Sequence, residues 1–373
     1  VGKLSVVREQ ERITLLDKVA SRGSALVGLD IGTTAVKAAR IRRRGDRVTI
    51  TGLARVGLES SSGASSAADE KIATAIWRCL RMLKGRGRVA CSLAGPDVAV
   101  RSFEFPLLPR HQLPSAVELE AAQVCPFEIS EASVSHQVLY GMYRGHQKPT
   151  EEERIIGYFA AAKNTVLQHR RSLCERGNAL CAVMDVDGLA LLNCLEACGL
   201  RKEGGAVMAL NVGHTWTNLT IISENGLPFV RDIPYAGDQI VSRIARMVQA
   251  PQPAVVGALR GEKASEISRH KLQPAIHQAC AALAERVNET LRYYGTRQTG
   301  PAVERVYLCG GLCLSGWIAK GLMSLLPART QLWDPLAILS ATRRVRKNLI
   351  AEYGPAFAVA IGLALRTLRD VHD

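Results

Sequence analysis

The stretch Ala25-Leu26-Val27-Gly28-Leu29-Asp30-Ile31-Gly32-Thr33-Thr34-Ala35-Val36-Lys37 decides the fold. Small and apolar residues run into Asp30, a glycine follows Ile31, and a second apolar run goes from Ala35 to Ile41. The pattern predicts paired strands over roughly 25–31 and 35–42, joined by a turn that presents Thr33 and Thr34. A glycine at such a turn lets the backbone approach a ligand closely. Thr33 and Thr34 supply hydroxyls and amides, Lys37 a positive charge, and Asp30 a carboxylate. These residues suit a phosphate group, with a metal ion or its water shell at Asp30. They also make an ordinary tight turn, so the rest of the chain must decide.

The second half of the chain restarts this pattern. Ala206-Val207-Met208-Ala209-Leu210-Asn211-Val212-Gly213-His214-Thr215 repeats the strand and turn, with Asn211 where the first copy has Asp30. A third strand follows each copy, at about 47–58 and 227–232, so an entire meander recurs. Two such hairpins facing each other across a cleft can hold the two sides of a polyphosphate and its metal. Further on, an apolar strand at 303–309 runs into Gly310-Gly311 and then a helical pattern at 314–326. A glycine pair there permits close approach of a ribose, base or phosphate. A plain strand-to-helix turn is the other reading.

The remaining segments fall into place around these. Ser60–Ala68 reads as a loop, 72–83 as a helix and 89–93 as a strand. The order strand, helix, strand, strand, helix over 98–105, 113–122, 134–143, 154–162 and 164–175 makes a small α+β unit inserted at 97–175. A strand at 181–186 and a helix at 189–198 return to the first lobe. Helices are predicted near 239–248, 274–294 and 355–368, and Asp334-Pro335 as a turn. In the last helix Gly354, Ala358 and Gly362 recur every fourth residue, which allows a neighbour to pack closely. The expected division is a tail at 1–23, a first lobe at 24–96 and 176–205, the inserted unit at 97–175, a second lobe at 206–345, and a C-terminal helix at the hinge, 346–373.

With 373 residues and 47% hydrophobic composition, the chain can form two domains or one large cleft domain. The net charge is +14 but aromatics are only 5%, and no nucleic-acid module stands out, so nucleic acid is not an expected partner. Clumps at 40–44, 78–88, 169–171 and 343–347 suit an anionic membrane face, an acidic partner, or plain solvation. The ten cysteines show no metal-binding spacing; scattered thiols fit a reducing compartment. Cys194 and Cys198, four apart in a helical pattern, read as buried thiols. No run of about twenty apolar residues predicts a membrane span, no secretory leader stands out, and an opening on Val1 leaves the true N-terminus undefined.

Together the hairpin, its repeat, the Gly310-Gly311 turn and the small-residue last helix resemble the actin-like ATPase superfamily of actin, heat-shock chaperones and sugar kinases. Within it the chain is most similar to the PilM family of type IV pilus assembly proteins, itself similar to the cell-division protein FtsA. The resemblance covers about 24–368 and is carried by Gly28 to Lys37, Pro126-Phe127, Ala182 to Asp187 with Ala190-Leu191, Phe229 to Pro234 with Gly237, Leu308 to Gly311, and Asp334-Pro335. It implies an α/β, two-lobed actin-like fold with ATP and Mg2+ in the cleft and a PilM/FtsA-like inserted subdomain. It implies a cytoplasmic protein, peripheral to the inner membrane through its partners: the cytoplasmic N-terminal segment of a PilN-like inner-membrane protein, and motor or alignment-complex proteins of a pilus or related secretion system. By position, Asp30 stands near the metal, and Gly32, Thr33 and Thr34 form the first phosphate loop. Lys37 is a phosphate lysine. Asn211, Gly213, His214 and Thr215 form the second loop, and Gly310 and Gly311 flank the ribose and α-phosphate.

Two departures matter. The second loop of the family starts with aspartate where this chain has Asn211, which weakens metal binding and water activation. Arg286, beside Glu285, stands about where relatives place a ribose-binding glutamate. The expectation is an ATP binder with very slow or no hydrolysis and no assigned catalytic residue. The alternatives are a small-molecule kinase of the same superfamily, for which no acceptor-site acid is found, and an FtsA-like filament protein, for which the tail after Leu368 is too short and polar.

Overall fold

The computed structural model describes residues 26–44, 47–58, 65–84, 87–140, 154–201, 205–223, 227–262, 267–297, 301–345 and 347–369. The expected tail at 1–23 and the loop at 146–153 lie outside them. The first lobe opens with β1 (Val27–Ile31), β2 (Ala35–Arg44) and β3 (Arg47–Gly57), followed by α1 (Ser65–Leu83) and β4 (Arg88–Leu93). The helix begins inside the stretch read as a loop. Ser65 to Ala68 add no apolar periodicity, so pattern alone could not extend it.

A three-stranded sheet then stands apart: β5 (Val98–Pro106), α2 (Leu113–Val124), β6 (Ala132–Tyr140) and β7 (Arg154–Lys163), with β7 in the middle. Phe103, Val117, Ala121 and Phe159 form its own core under α2. The next helix, α3 (Asn164–Arg176), was expected to close this unit. Instead its buried Leu173 and Cys174 join the first-lobe core beside α1, so the expected boundary at 175 moves to about Lys163. The chain returns through β8 (Leu180–Val186) and α4 (Asp187–Ala197).

The second lobe begins with β9 (Ala206–Val212), β10 (Thr217–Ile222) and β11 (Pro228–Ile233), then α5 (Gly237–Val248), α6 (Gln252–Arg260) and α7 (Arg269–Arg297). The long helix starts before Pro274, which lies inside it near the N-terminal end. Next come β12 (Val303–Cys309), a short 3-10 turn at Leu312–Leu314, α8 (Gly316–Leu325) and β13 (Arg329–Leu332). Asp334-Pro335, expected as a turn, opens the short helix α9 (Pro335–Ile338), where Asp334 accepts the Leu336 amide at 2.8 Å. The chain ends with β14 (Ser340–Ala341), α10 (Lys347–Tyr353) and α11 (Ala358–Arg369).

The internal repeat is a repeat of topology. The first sheet runs β14-β3-β2-β1-β4-β8 and the second β11-β10-β9-β12-β13. In each, an antiparallel meander is extended by two parallel strands on its first member. Alternate residues of one strand serve different cores, as strand pleating requires. Val27 and Leu29 face α1 and α3, whereas Leu26 faces α4 and α11. Met208, Leu210 and Val212 face α5, α7 and α8, whereas Val207 and Ala209 face α4 and α11. The layers therefore run helix, sheet, helix, sheet, helix, with α4 and α11 between the lobes.

Small residues make that middle layer possible. A Cβ on Gly362 of α11 would overlap the Ala190 carbonyl of α4, and one on Gly28 of β1 would overlap Ala360 of α11. Residues Lys347–Arg366 are long and apolar enough to cross a membrane by composition, but two thirds of the segment is buried inside the protein, as a core helix would be.

Candidate functional site

The two hairpin turns have the same geometry. Gly32 N–H donates to Ala35 O at 3.2 Å, and Gly213 N–H donates to Trp216 O at 3.0 Å. In each turn an added Cβ would press on the carbonyl that closes it, at 3.1 Å for Gly32 and 2.8 Å for Gly213. The Gly213 turn leaves no room for a side chain without a shift, and the Gly32 turn leaves little. The turns leave Thr33, Thr34, His214 and Thr215 exposed and meet between the lobes, where Thr33 Oγ1 lies 2.8 Å from Thr215 Oγ1. The second turn is also tied to the start of α5. Gly237 N–H donates to Gly213 O at 3.0 Å and Asp238 N–H to His214 O at 2.8 Å.

Behind the turns lies an acidic floor. Asp30, at the end of β1, is buried and paired with Lys37 Nζ at 2.5 Å across the hairpin. Lys37 therefore neutralises Asp30 in this state. Asp187 starts α4 and accepts the Ser92 hydroxyl at 2.5 Å. Burial, then the negative charge of Asp30 and a smaller effect of Asp232, raise its carboxyl to about 7. Asp232, on β11, is also raised by burial, against the hydrogen bonds it accepts.

Asn211 has a defined job in this floor. Its Nδ2 donates to Asn218 Oδ1 at 2.7 Å, Asn218 Nδ2 donates to Asp232 Oδ1 at 2.7 Å, and Asp232 Oδ2 accepts the Gly95 amide at 2.6 Å. Gly95 follows β4 of the first lobe, and its Cα faces the Trp216 ring so closely that a Cβ would sit 3.2 Å from it. A polar relay therefore runs from Asn211 across the cleft. Gly310, at φ +105°, lies so close to Asn211 and Val212 that a side chain has no room there, while Gly311 faces open space. Gly310 N–H donates to Pro355 O at 3.0 Å, tying the turn to the segment before α11.

The structure thus gathers the two turns, Asp30, Lys37, Asn211, Gly310 and Gly311 at the facing ends of the sheets. Arg286 is exposed on α7, with its guanidinium 4.6 Å from the Tyr235 ring centroid. Asp187, Asp232, Asn218 and Ser92 were not among the expected site residues. Asp187 and Asp232 did stand in the sequence as acids ending apolar strands. Their convergence is tertiary.

These turns and this order of strands match known proteins. A family model described as Type IV pilus assembly protein PilM matches residues 28–368. The chain belongs to the PilM family. Among solved structures, a PilM-PilN type IV pilus biogenesis complex superposes with a TM-score of 0.76 at 23% identity, covering 94% of this chain and 99% of that one. The ethanolamine utilization protein EutJ from Carboxydothermus hydrogenoformans gives a TM-score of 0.52 at 11% identity, covering 95% of this chain and 97% of that one. A diol dehydratase-reactivating factor in nucleotide-free form gives 0.52 at 12%, covering 91% and 99%. The fold is actin-like, with the two-lobed α/β architecture expected.

Proposed function

We propose that this PilM-family protein is a nucleotide-binding adaptor of type IV pilus assembly. It holds ATP with Mg2+ between its lobes and binds the cytoplasmic N-terminal segment of a PilN-like inner-membrane protein. The observation that carries the nucleotide reading is the meeting of two identically closed glycine turns at Thr33 and Thr215. When the lobes part, Gly32, Thr33, Thr34, Gly213, His214 and Thr215 offer amides and hydroxyls to a polyphosphate from both sides. Lys37 can exchange Asp30 for a phosphate oxygen, which frees Asp30 for the metal's water shell. Gly310 and Gly311 leave room for the sugar. Bound Mg2+ would neutralise the phosphates.

The same floor argues for slow or absent hydrolysis. Asn211 carries no charge and is committed to Asn218. Occupancy would instead stabilise the folded protein with its turns parted, by linkage, and bias partner binding.

The partner reading rests on family membership and on the PilM-PilN complex among similar structures. The three-stranded unit has apolar side chains open to solvent, Leu119 on α2 and Tyr140 on β6, which a peptide would cover. The net charge of +14 suits a place at the cytoplasmic face of the inner membrane. Thermal denaturation with and without Mg·ATP tests the first half; a higher Tm is expected, and none at millimolar nucleotide defeats it. Fluorescence anisotropy of a labelled peptide of the PilN-like segment tests the second; saturable binding is expected, and its absence with either nucleotide state defeats the adaptor role.

A further inference from the structure

Below the phosphate turns, in the first lobe, three cysteines from three elements converge. Cys91 of β4, Cys174 of α3 and Cys181 of β8 have their sulfurs all within 4.8 Å of one another. Cys91 Sγ is 3.2 Å from Cys181 Sγ and 3.8 Å from Cys174 Sγ, and Met184 Sδ lies 3.5 Å from Cys91 Sγ. No short sequence spacing announces this group, since the chain separation is as large as 90 residues.

We propose that Cys91, Cys174 and Cys181 form a binding site for a single soft monovalent cation, Cu(I), with the Met184 thioether beside it. A metal bound to three sulfurs at about 2.3 Å holds them roughly 3.8–4.0 Å apart. The Cys91–Cys174 separation of 3.8 Å already meets that range, and the Cys91–Cys181 separation of 3.2 Å needs to open by less than about 1 Å, within reach of small rotamer changes. The donor set selects the ion. Thiolates with a thioether favour Cu(I). A structural zinc site wants a fourth Cys, His or carboxylate, and among the described residues no other such group joins these three. A Cys91–Cys181 disulfide is the competing outcome, and the test below separates the two.

Positive charge lies close by: Arg171 acts on Cys181. Arg170 also acts on Cys174. Binding Cu(I) leaves its oxidation state unchanged and displaces the protons of the three thiols to solvent, giving a complex of charge two minus beside two arginines. Arg170 Nη1 also donates to Ile31 O at 3.0 Å. The site therefore braces the helix that holds the base of the first phosphate turn.

The test is an anaerobic titration of the reduced full chain with Cu(I) buffered by bathocuproine disulfonate, followed by X-ray absorption. One tightly bound Cu(I) per chain is expected, with only sulfur neighbours near the copper and a higher Tm. Cys174→Ser and Cys181→Ser should each weaken it by more than the roughly 10–100-fold typical of losing an outer-shell partner. Cys280→Ser, a buried thiol in the second lobe, should leave it unchanged. The wild-type absorption spectrum decides the question even if a variant fails to fold. Oxygen or nitrogen neighbours, equal copper uptake by wild type and Cys181→Ser, tighter binding of Zn2+ than of Cu(I), or conversion to a Cys91–Cys181 disulfide without retained metal would overturn the proposal.

Discussion

Thr33 Oγ1 and Thr215 Oγ1 are 2.8 Å apart although 182 residues separate them in the chain. Each sits in a turn closed by its own glycine, and the contact joins the two copies of the repeat across the cleft. No phosphate group fits between hydroxyls at that distance. The lobes in this arrangement are shut, and a polyphosphate requires them to part or the turns to separate. The Asp232 carboxylate, which accepts the Gly95 amide of the other lobe, holds the same closure from behind.

The contact predicts a nucleotide-sensitive cross-link. In a Thr33→Cys/Thr215→Cys double variant the two introduced sulfurs face each other, and mild oxidation of the ligand-free protein should join them. Saturating Mg·ATP should suppress the bond. Mass spectrometry of the disulfide-linked pair of peptides, one from each turn, reads the result. Equal cross-linking with and without nucleotide would show that the turns do not receive phosphate.

Asp187 predicts a pH dependence with a definite sign. Its carboxyl titrates at about 7 in the folded protein, against roughly 3.9 when unfolded. Between those values the folded state holds a proton that the unfolded state has released. The group's contribution to stability is therefore greatest below about pH 4 and falls as pH rises through 7. Asp187→Asn should raise stability at pH 8 by about 1–3 kcal/mol, discounted for partial exposure, and change it little at pH 4. Urea denaturation at the two pH values measures this. Mg·ATP should narrow the difference at pH 8, because a cation in the cleft stabilises the ionised wild-type carboxylate.

Much of this arrangement was legible in the sequence because two apolar runs end in matching glycine turns. The runs up to Asp30 and Asn211 mark β1 and β9 as strands, and Gly32 and Gly213 mark their turns. Three things were not legible. The Ser65–Ala68 turn of α1 has no apolar stripe. The fate of α3 depends on Leu173 and Cys174 finding partners in the first lobe. The acids Asp187 and Asp232, like Cys91, Cys174 and Cys181, come from elements far apart in the chain, so only packing brings them together.

Asn211 predicts a trade between stability and metal binding. Asn211→Asp gives the second turn the charge that Asp30 gives the first but replaces the Nδ2 donor to Asn218 with an acceptor. Ligand-free stability should fall by about 1–3 kcal/mol through the lost hydrogen bond and the added charge near Asp30 and Asp232. Affinity for ATP should become more dependent on Mg2+, as read by calorimetric titration with and without the metal. If the metal dependence is unchanged, Asn211 does not stand beside the cation.

Gly362 predicts where the two lobes are mechanically joined. A Cβ at this position runs into the Ala190 carbonyl of α4, a backbone atom that cannot swing aside. Gly362→Ala must therefore push α11 away from α4, in the layer both sheets share. The cost should be at least the roughly 1–3 kcal/mol of an overpacked core. Gly316→Ala, at a position with nothing near the added methyl, should stay within about 0.5 kcal/mol of wild type. Urea midpoints compare the two. Because α4 begins at Asp187 and α11 packs on β1 below Asp30, the Gly362→Ala displacement should also reach the cleft. It should reduce the Tm gain from Mg·ATP by more than Gly316→Ala does, even after each is referred to its own ligand-free Tm. An equal ligand-induced gain in both variants would show that the α4–α11 contact supports the fold without positioning the site.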